Sequence, residues 1–258
     1  MQVSSLPDFQ PISATELAAW AKPFCMAQTL SRVLSELLGC KEFHNQGDPG
    51  TSVLPGHVSS TVSSVLLVGP PGCGKSGLLF SAALVAAEEG AGPVIFISRE
   101  SLQRLPGGGR EAREPLLLKR IRFLYPSSLR ELLHLVSSMH LSFPAPSLIV
   151  VDGLERYLAP TCGSADGALI SGLLLDSAAH FKCGLLISAA QPLEMGGDGA
   201  FLAVERYFPA QCHIYGEVTT EQEEGTFHIS FPSHFPPCVL HTAKDGTLKI
   251  SLPKASFS

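Results

Sequence analysis

Gly69, Pro70, Pro71, Gly72, Cys73, Gly74, Lys75 and Ser76 fit the pattern GxxxxGK[ST], a spacing suited to holding phosphates. Glycines in such a loop let successive backbone N–H groups curl around phosphate oxygens. A helix starting where the loop ends adds partial positive charge from its N-terminus. Lys75 is then expected to reach the β- and γ-phosphates of a nucleoside triphosphate, most simply ATP, while the Ser76 hydroxyl ligates Mg²⁺. Asp152 closes the apolar run Ser147-Leu-Ile-Val-Val-Asp152, the place for a second carboxylate on the metal side. Hydrolysis also needs a group that orients or deprotonates the attacking water. Glu155, three residues beyond Asp152, is one candidate. The plain alternatives are a chance glycine turn and an aspartate that only caps a helix.

The elements that must position these residues alternate along the chain. Val65-Leu-Leu-Val68 predicts a buried strand before the loop, and a helix runs on from it through Glu89. Further strands are expected over Pro93 to Ser98, Ile121 to Tyr125, Ser147 to Asp152 and Gly184 to Ala190. Helices are expected over Leu129 to Met139 and Leu169 to Phe181, with a short one before Ile121. Continuous apolar strands flanked by helices imply an α/β fold, with a mostly parallel sheet covered on both faces. The C-terminal end alternates instead, over Thr226 to Phe231 and Val239 to Thr242, then through Asp245-Gly246 into Leu248-Lys-Ile-Ser-Leu. That pattern predicts a hairpin and antiparallel strands extending the sheet edge.

Residues 1–64 differ in character. Ser13-Ala-Thr-Glu16 resembles a capping box, Pro23 breaks or restarts a helix, and Leu30, Val33, Leu34, Leu37 and Leu38 share a face. From His44 to Ser64 the chain is rich in Gly, Pro, Ser and Thr and reads as a linker. The expected organisation is a helical extension with a flexible linker over 1–64 and an ATPase domain over 65–258.

Several stretches resemble a known family. They are Gly77-Leu-Leu-Phe-Ser-Ala-Ala-Leu84, Arg120 to Pro126 with Leu129-Arg-Glu-Leu132, Asp152-Gly-Leu-Glu155, Leu174 to Phe181 and Arg206 to Cys212. Together they look like the SWIM-type zinc finger-associated ATPases, divergent paralogues in the RecA/Rad recombinase superfamily. The resemblance runs from Val65 to about Cys212. It implies a RecA-like P-loop fold, with Glu100 as the catalytic carboxylate after the second strand and Gln191 as the γ-phosphate-sensing residue after the last core strand. It also implies a SWIM-type zinc finger partner, a Rad-family recombinase, single-stranded DNA, homologous recombination repair and a nuclear location. Gly153, rather than a glutamate, follows Asp152, which argues against the AAA+ class. No NKxD base-reading motif supports a signalling NTPase. Because Ser98 and Arg99 depart from the usual residues beside that glutamate, a second reading stands beside the enzyme: a weak pseudo-ATPase that uses ATP to stabilise a scaffold.

The chain's net charge of −5 argues against generic adhesion to nucleic acid. Charge is uneven, however. Arg99, Arg104, Arg110, Arg113, Lys119, Arg120, Arg122 and Arg130 stand against three acidic residues in one segment, a candidate phosphate-contacting patch or an ordinary solvated surface. The RecA-type DNA loops would fall at Pro160 to Gly167 and Pro192 to Gly199, which carry no Lys or Arg. Two FxxA patterns occur. Phe24 to Ala27 is a possible docking element, whereas Phe80 to Ala83 is expected to pack in the core. The seven cysteines (Cys25, Cys40, Cys73, Cys162, Cys183, Cys212 and Cys238) form no CxxC pair and read as free buried thiols. Cys73, inside the loop, carries the further expectation of sensitivity to oxidation or alkylation. No apolar run approaches the ~20 residues that cross a bilayer, and the first residues lack a secretory layout, so an intracellular protein is expected.

Overall fold

Val65, Leu66, Leu67 and Val68 are buried on β1 (Ser64–Gly69), and the strands beside it are equally apolar. β2 (Val94–Ser98) and β4 (Leu148–Asp152) are buried at every position. β5 (Gly184–Ala190) is buried at all but its last. Such runs suit strands covered on both faces. In the computed structural model, which describes Thr29, Val33 and residues 63–89, 92–102, 115–190, 199–219, 224–230, 238–243 and 247–251, they form one nine-stranded sheet. Its order is β3-β2-β4-β5-β1-β6-β7-β8-β9, with β3 at Ile121–Leu124, β6 at Gln211–Thr219, β7 at Glu224–Ser230, β8 at Cys238–Thr242 and β9 at Leu248–Ser251. β3 through β6 in that order pair parallel, and the last three pairings are antiparallel. The α/β class, mostly parallel sheet and antiparallel C-terminal strands are as the sequence predicts.

Helices cover both faces of the parallel part. α1 (Lys75–Glu89) lies on one face in a cluster with Leu67, Phe96, Val150 and the inner residues of β6 to β9. Phe80 is fully buried there against Phe96 and Phe123, so the second FxxA pattern is core. Val33 belongs to the same cluster; it and Thr29 are helical and buried. The rest of the expected N-terminal extension, its linker and the Phe24 to Ala27 pattern lie outside the described residues. The short α2 (Pro115–Leu118) precedes β3. α3 (Leu129–Ser142), α4 (Ser164–Phe181) and α5 (Gly199–Tyr207) build the opposite cluster.

Three details differ from the sequence reading. α4 starts five residues before Leu169, because the Asp166 carboxylate accepts from the Gly163 N–H at 2.9 Å and caps a first turn with little apolar periodicity. Half of the candidate loop Pro160 to Gly167 is therefore helix. β6 and α5 were not anticipated. In β6, Gly216 takes φ 148° and a Cβ there would come within 2.6 Å of Thr226 O, so one position of the strand supplies no side chain to the alternation that would reveal it. The predicted hairpin is present as β8–β9, with the Ala243 N–H donating to Thr247 O at 3.0 Å. Among the described residues no helix is long and apolar enough to cross a membrane.

Candidate functional site

Loops leaving the carboxyl ends of parallel strands share one edge of the sheet, where ligands of open α/β folds collect. β1 ends there at Gly69 and β4 at Asp152, with β5 between them. After Gly69 the backbone turns through Gly72 at φ 76° and Gly74 at φ 89°, values that favour glycine, and α1 begins at Lys75. Gly74 has a second reason to lack a side chain, since a Cβ would come within 2.9 Å of Leu248 and 3.0 Å of Thr242. At Gly72 a Cβ would meet nothing within 4 Å, so the loop is open on that side.

Lys75 is only 8% exposed. Its ammonium donates to the Gly69 and Pro70 carbonyls at 2.7 and 2.6 Å and lies 3.7 Å from Cys73 Sγ. The cation is thus held over the loop's own opening rather than out in water. Cys73 itself is buried, and desolvation pushes its thiol up in pKa, offset in part by Lys75. Thiolate, the reactive form, is scarce under those conditions. This burial counts against the expected sensitivity of Cys73 to oxidation or alkylation. Cys183 and Cys212 are likewise free and buried, Cys238 is buried, and burial pushes Cys183 up to about 12.

Asp152 is buried and anchored across strands. Its Oδ1 accepts from the Ser188 hydroxyl of β5 at 2.8 Å, and Ser188 Oγ accepts from the Gly153 N–H at 2.9 Å. Ser188 is completely buried, so one hydroxyl fixes both the carboxylate and the turn after it. Gly153 takes φ 73° and ψ 56°, and a 3₁₀ turn over Leu154–Arg156 follows. A cavity of ≈ 400 Å³ lies between these parts. Gly72, Lys75 and Ser76 line it from the loop, Asp152, Glu155 and Arg156 from β4 and the turn, and Thr242 and Leu248 from the C-terminal strands. Its residues fit a triphosphate and a hard cation: a glycine nest, a buried ammonium, a hydroxyl at a helix start and an anchored carboxylate.

The other predicted residues are more scattered. Glu100 is 77% exposed, and its carboxylate lies 3.5 Å from the Arg156 guanidinium; it does not line the cavity. Arg99 donates to the Arg156 carbonyl. Arg120, by contrast, donates to Ala87 O near the end of α1 at 2.8 Å, and Arg122 lies over the Phe143 ring at 5.6 Å. These two sit at the amino ends of the strands, far along the sheet from Arg99. Lys119 is exposed beside them. Among the described residues the basic segment therefore divides between two ends of the sheet. Arg104, Arg110, Arg113 and Gln191 lie outside the described residues.

Sequence reasoning missed Ser188, Arg156, Thr242 and Leu248. Ser188 left a signal, a hydroxyl inside the apolar run Gly184-Leu-Leu-Ile-Ser-Ala-Ala190. The others depend on strand order, which no local pattern encodes.

The fold and site define an α/β protein whose central strand opens onto a glycine-rich loop facing a buried aspartate. No family model matches the chain. It is 46% identical over 172 residues to a human protein named ATPase SWSAP1, covering 62% of this chain and 75% of the human one. To the mouse protein of the same name it is 40% identical over 199 residues, covering 73% of this chain and 67% of the relative. The chain belongs to the SWSAP1 ATPase family.

Proposed function

We propose that this protein binds ATP with Mg²⁺ at the Gly69–Ser76 loop and hydrolyses it as a RecA-type accessory factor in homologous recombination. The observation that carries the reading is Lys75, buried in a phosphate-shaped loop with its ammonium turned onto the Gly69 and Pro70 carbonyls. Arriving phosphate oxygens are stronger, charged acceptors than those carbonyls, so Lys75 exchanges partners without needing to be desolvated anew. Ser76 and Asp152 would hold Mg²⁺, which draws charge from the phosphates when bound. Ser188 keeps the Asp152 carboxylate oriented. Gln191, the residue after Ala190, which pairs with Gly69, is the proposed γ-phosphate sensor. The names of the human and mouse relatives support the ATPase assignment. A SWIM-type zinc finger partner, a Rad-family recombinase, single-stranded DNA and a nuclear location belong to the same proposal and rest on the family resemblance alone.

The test is nucleotide binding and turnover, with and without single-stranded DNA, in wild type and Lys75→Ala. Loss of the buried charge should weaken binding by about 2–5 kcal/mol. Binding unchanged by Lys75→Ala would sink the site. The scaffold alternative draws support from Glu100, which is exposed and engaged with Arg156. It expects tight binding in wild type with no turnover above background.

A further inference from the structure

We propose that Glu155, rather than Glu100, is the carboxylate that acts on the attacking water, Glu100 serving only to hold Arg156. This rests on the reading that the Gly69–Ser76 loop binds ATP. Glu155 sits on the 3₁₀ turn that the left-handed Gly153 throws back from the end of β4. The turn is fixed on three sides. Leu154 is buried, the Arg156 N–H donates to Gly153 O at 3.0 Å, and the Leu158 N–H donates to Glu155 O at 3.1 Å. Glu155 lines the same cavity as Lys75, Ser76 and Asp152.

One oxygen of the Glu155 side chain, Oε2, is buried and has no hydrogen-bond partner. Nearly all buried polar atoms in folded proteins are paired, and an exception calls for a function or a bound water. A carboxylate that lines a polar cavity large enough for water, beside the groups expected to hold the phosphates, and that keeps one acceptor oxygen unpaired, is placed to orient that water. Among the described residues Asp152 is the other carboxylate lining the cavity, but its Oδ1 is already engaged by Ser188, which suits a fixed metal-side group. Glu100 lacks these features. It is largely in solvent, lies outside the cavity, and its contact is with Arg156. Arg156 does line the cavity, so Glu100 acts through it as a positioning residue.

In the proposed step Glu155 takes a proton from water as the water oxygen bonds to the γ-phosphorus. The bond from that phosphorus to the bridging oxygen breaks, its electron pair leaves with ADP, and Glu155 returns the proton to the phosphate product or to solvent.

The experiment uses the purified full chain with Glu155→Gln, Glu155→Asp and Glu100→Gln variants. It measures ATP turnover, affinity for a fluorescent ATP analogue with and without Mg²⁺, and the thermal midpoint. Glu155→Gln should lower turnover on the order of 10²-fold or more while leaving affinity for the Mg²⁺-bound analogue within about threefold of wild type. Glu155→Asp should turn over faster than Glu155→Gln, and Glu100→Gln should lose less than either. The proposal is overturned by the reverse ranking, or by a Glu155→Gln protein whose affinity falls about tenfold only when Mg²⁺ is present, which would make Glu155 a metal-side ligand. Wild type that binds the analogue without turning ATP over removes the catalytic role of Glu155 but leaves the binding site standing. Wild type that binds nothing fails one step earlier, at the site itself.

Discussion

The parallel strands β2, β4, β5 and β1 are buried on both faces, whereas the extension from β6 to β9 is buried on one. Inward residues of the extension, Ile214, Phe227, Ile229, Leu240 and Ile250, join the α1 cluster. Outward ones, among them His213, Tyr215, Thr226, His228, His241 and Lys249, are exposed. The difference separates two jobs. The parallel half supplies the chemistry-bearing loop ends at Gly69, Asp152 and Ser188. The extension supplies a wall: Thr242 and Leu248 reach back to the cavity, and a Cβ on Gly77 would come within 2.5 Å of Leu248. The site is thus assembled from a rigid two-sided core and a one-sided sheet leaning on it.

The largest effect should come from the core. Phe96 is fully buried on β2 and touches both Phe80 and Phe123. Phe96→Ala removes an aromatic side chain that neighbours cannot replace without moving α1, and should cost about 3–5 kcal/mol. Chemical denaturation would read the loss as a lower midpoint at unchanged slope. A loss nearer that of a surface change would mean that the parallel half is less tightly built than its burial indicates.

Leu248→Ala tests where the two regions meet. Leu248 is nearly buried at the sheet's outer strand, so the cost should fall at the low end for a leucine, about 2 kcal/mol. The informative reading is nucleotide affinity. Because Leu248 packs against Gly74 and Gly77, its loss should loosen the loop and weaken the binding of an ATP analogue along with stability. Affinity untouched by Leu248→Ala would reduce the extension to a cover with no part in the site.

This division also explains what could be read from sequence. β1, β2, β4 and β5 announce themselves as nearly unbroken apolar runs, because both faces are dry. β7, β8 and β9 announce themselves by alternation, because only one face is. β6 does neither, since Gly216 breaks its period and its parallel pairing to β1 is a long-range event. The loop Gly69–Ser76 is legible because one short segment carries all of its chemistry. Asp152 is legible as a strand end, but its hydrogen bond to Ser188 exists only because β4 and β5 are neighbours. The contrast between Glu100 and Glu155 is the least legible of all. It depends on which way the chain turns after each strand, and a single left-handed glycine decides that for Glu155.

The smallest effect belongs to the open face. Tyr215 and His228 are direct partners across β6 and β7, with ring centroids 5.6 Å apart and planes inclined by 18°. Tyr215 is 53% exposed. A cross-strand pair of this kind contributes about 0.2–1 kcal/mol, so Tyr215→Ala should lower the thermal midpoint by no more than about 2–4 °C. Differential scanning calorimetry on the full chain would measure it. Nucleotide affinity should not change, because the pair points away from the α1 side on which the loop lies. A midpoint drop as large as that of Leu248→Ala would show that the outward face carries packing of its own. The extension would then be two-sided, and its likeness to the parallel half greater than its burial suggests.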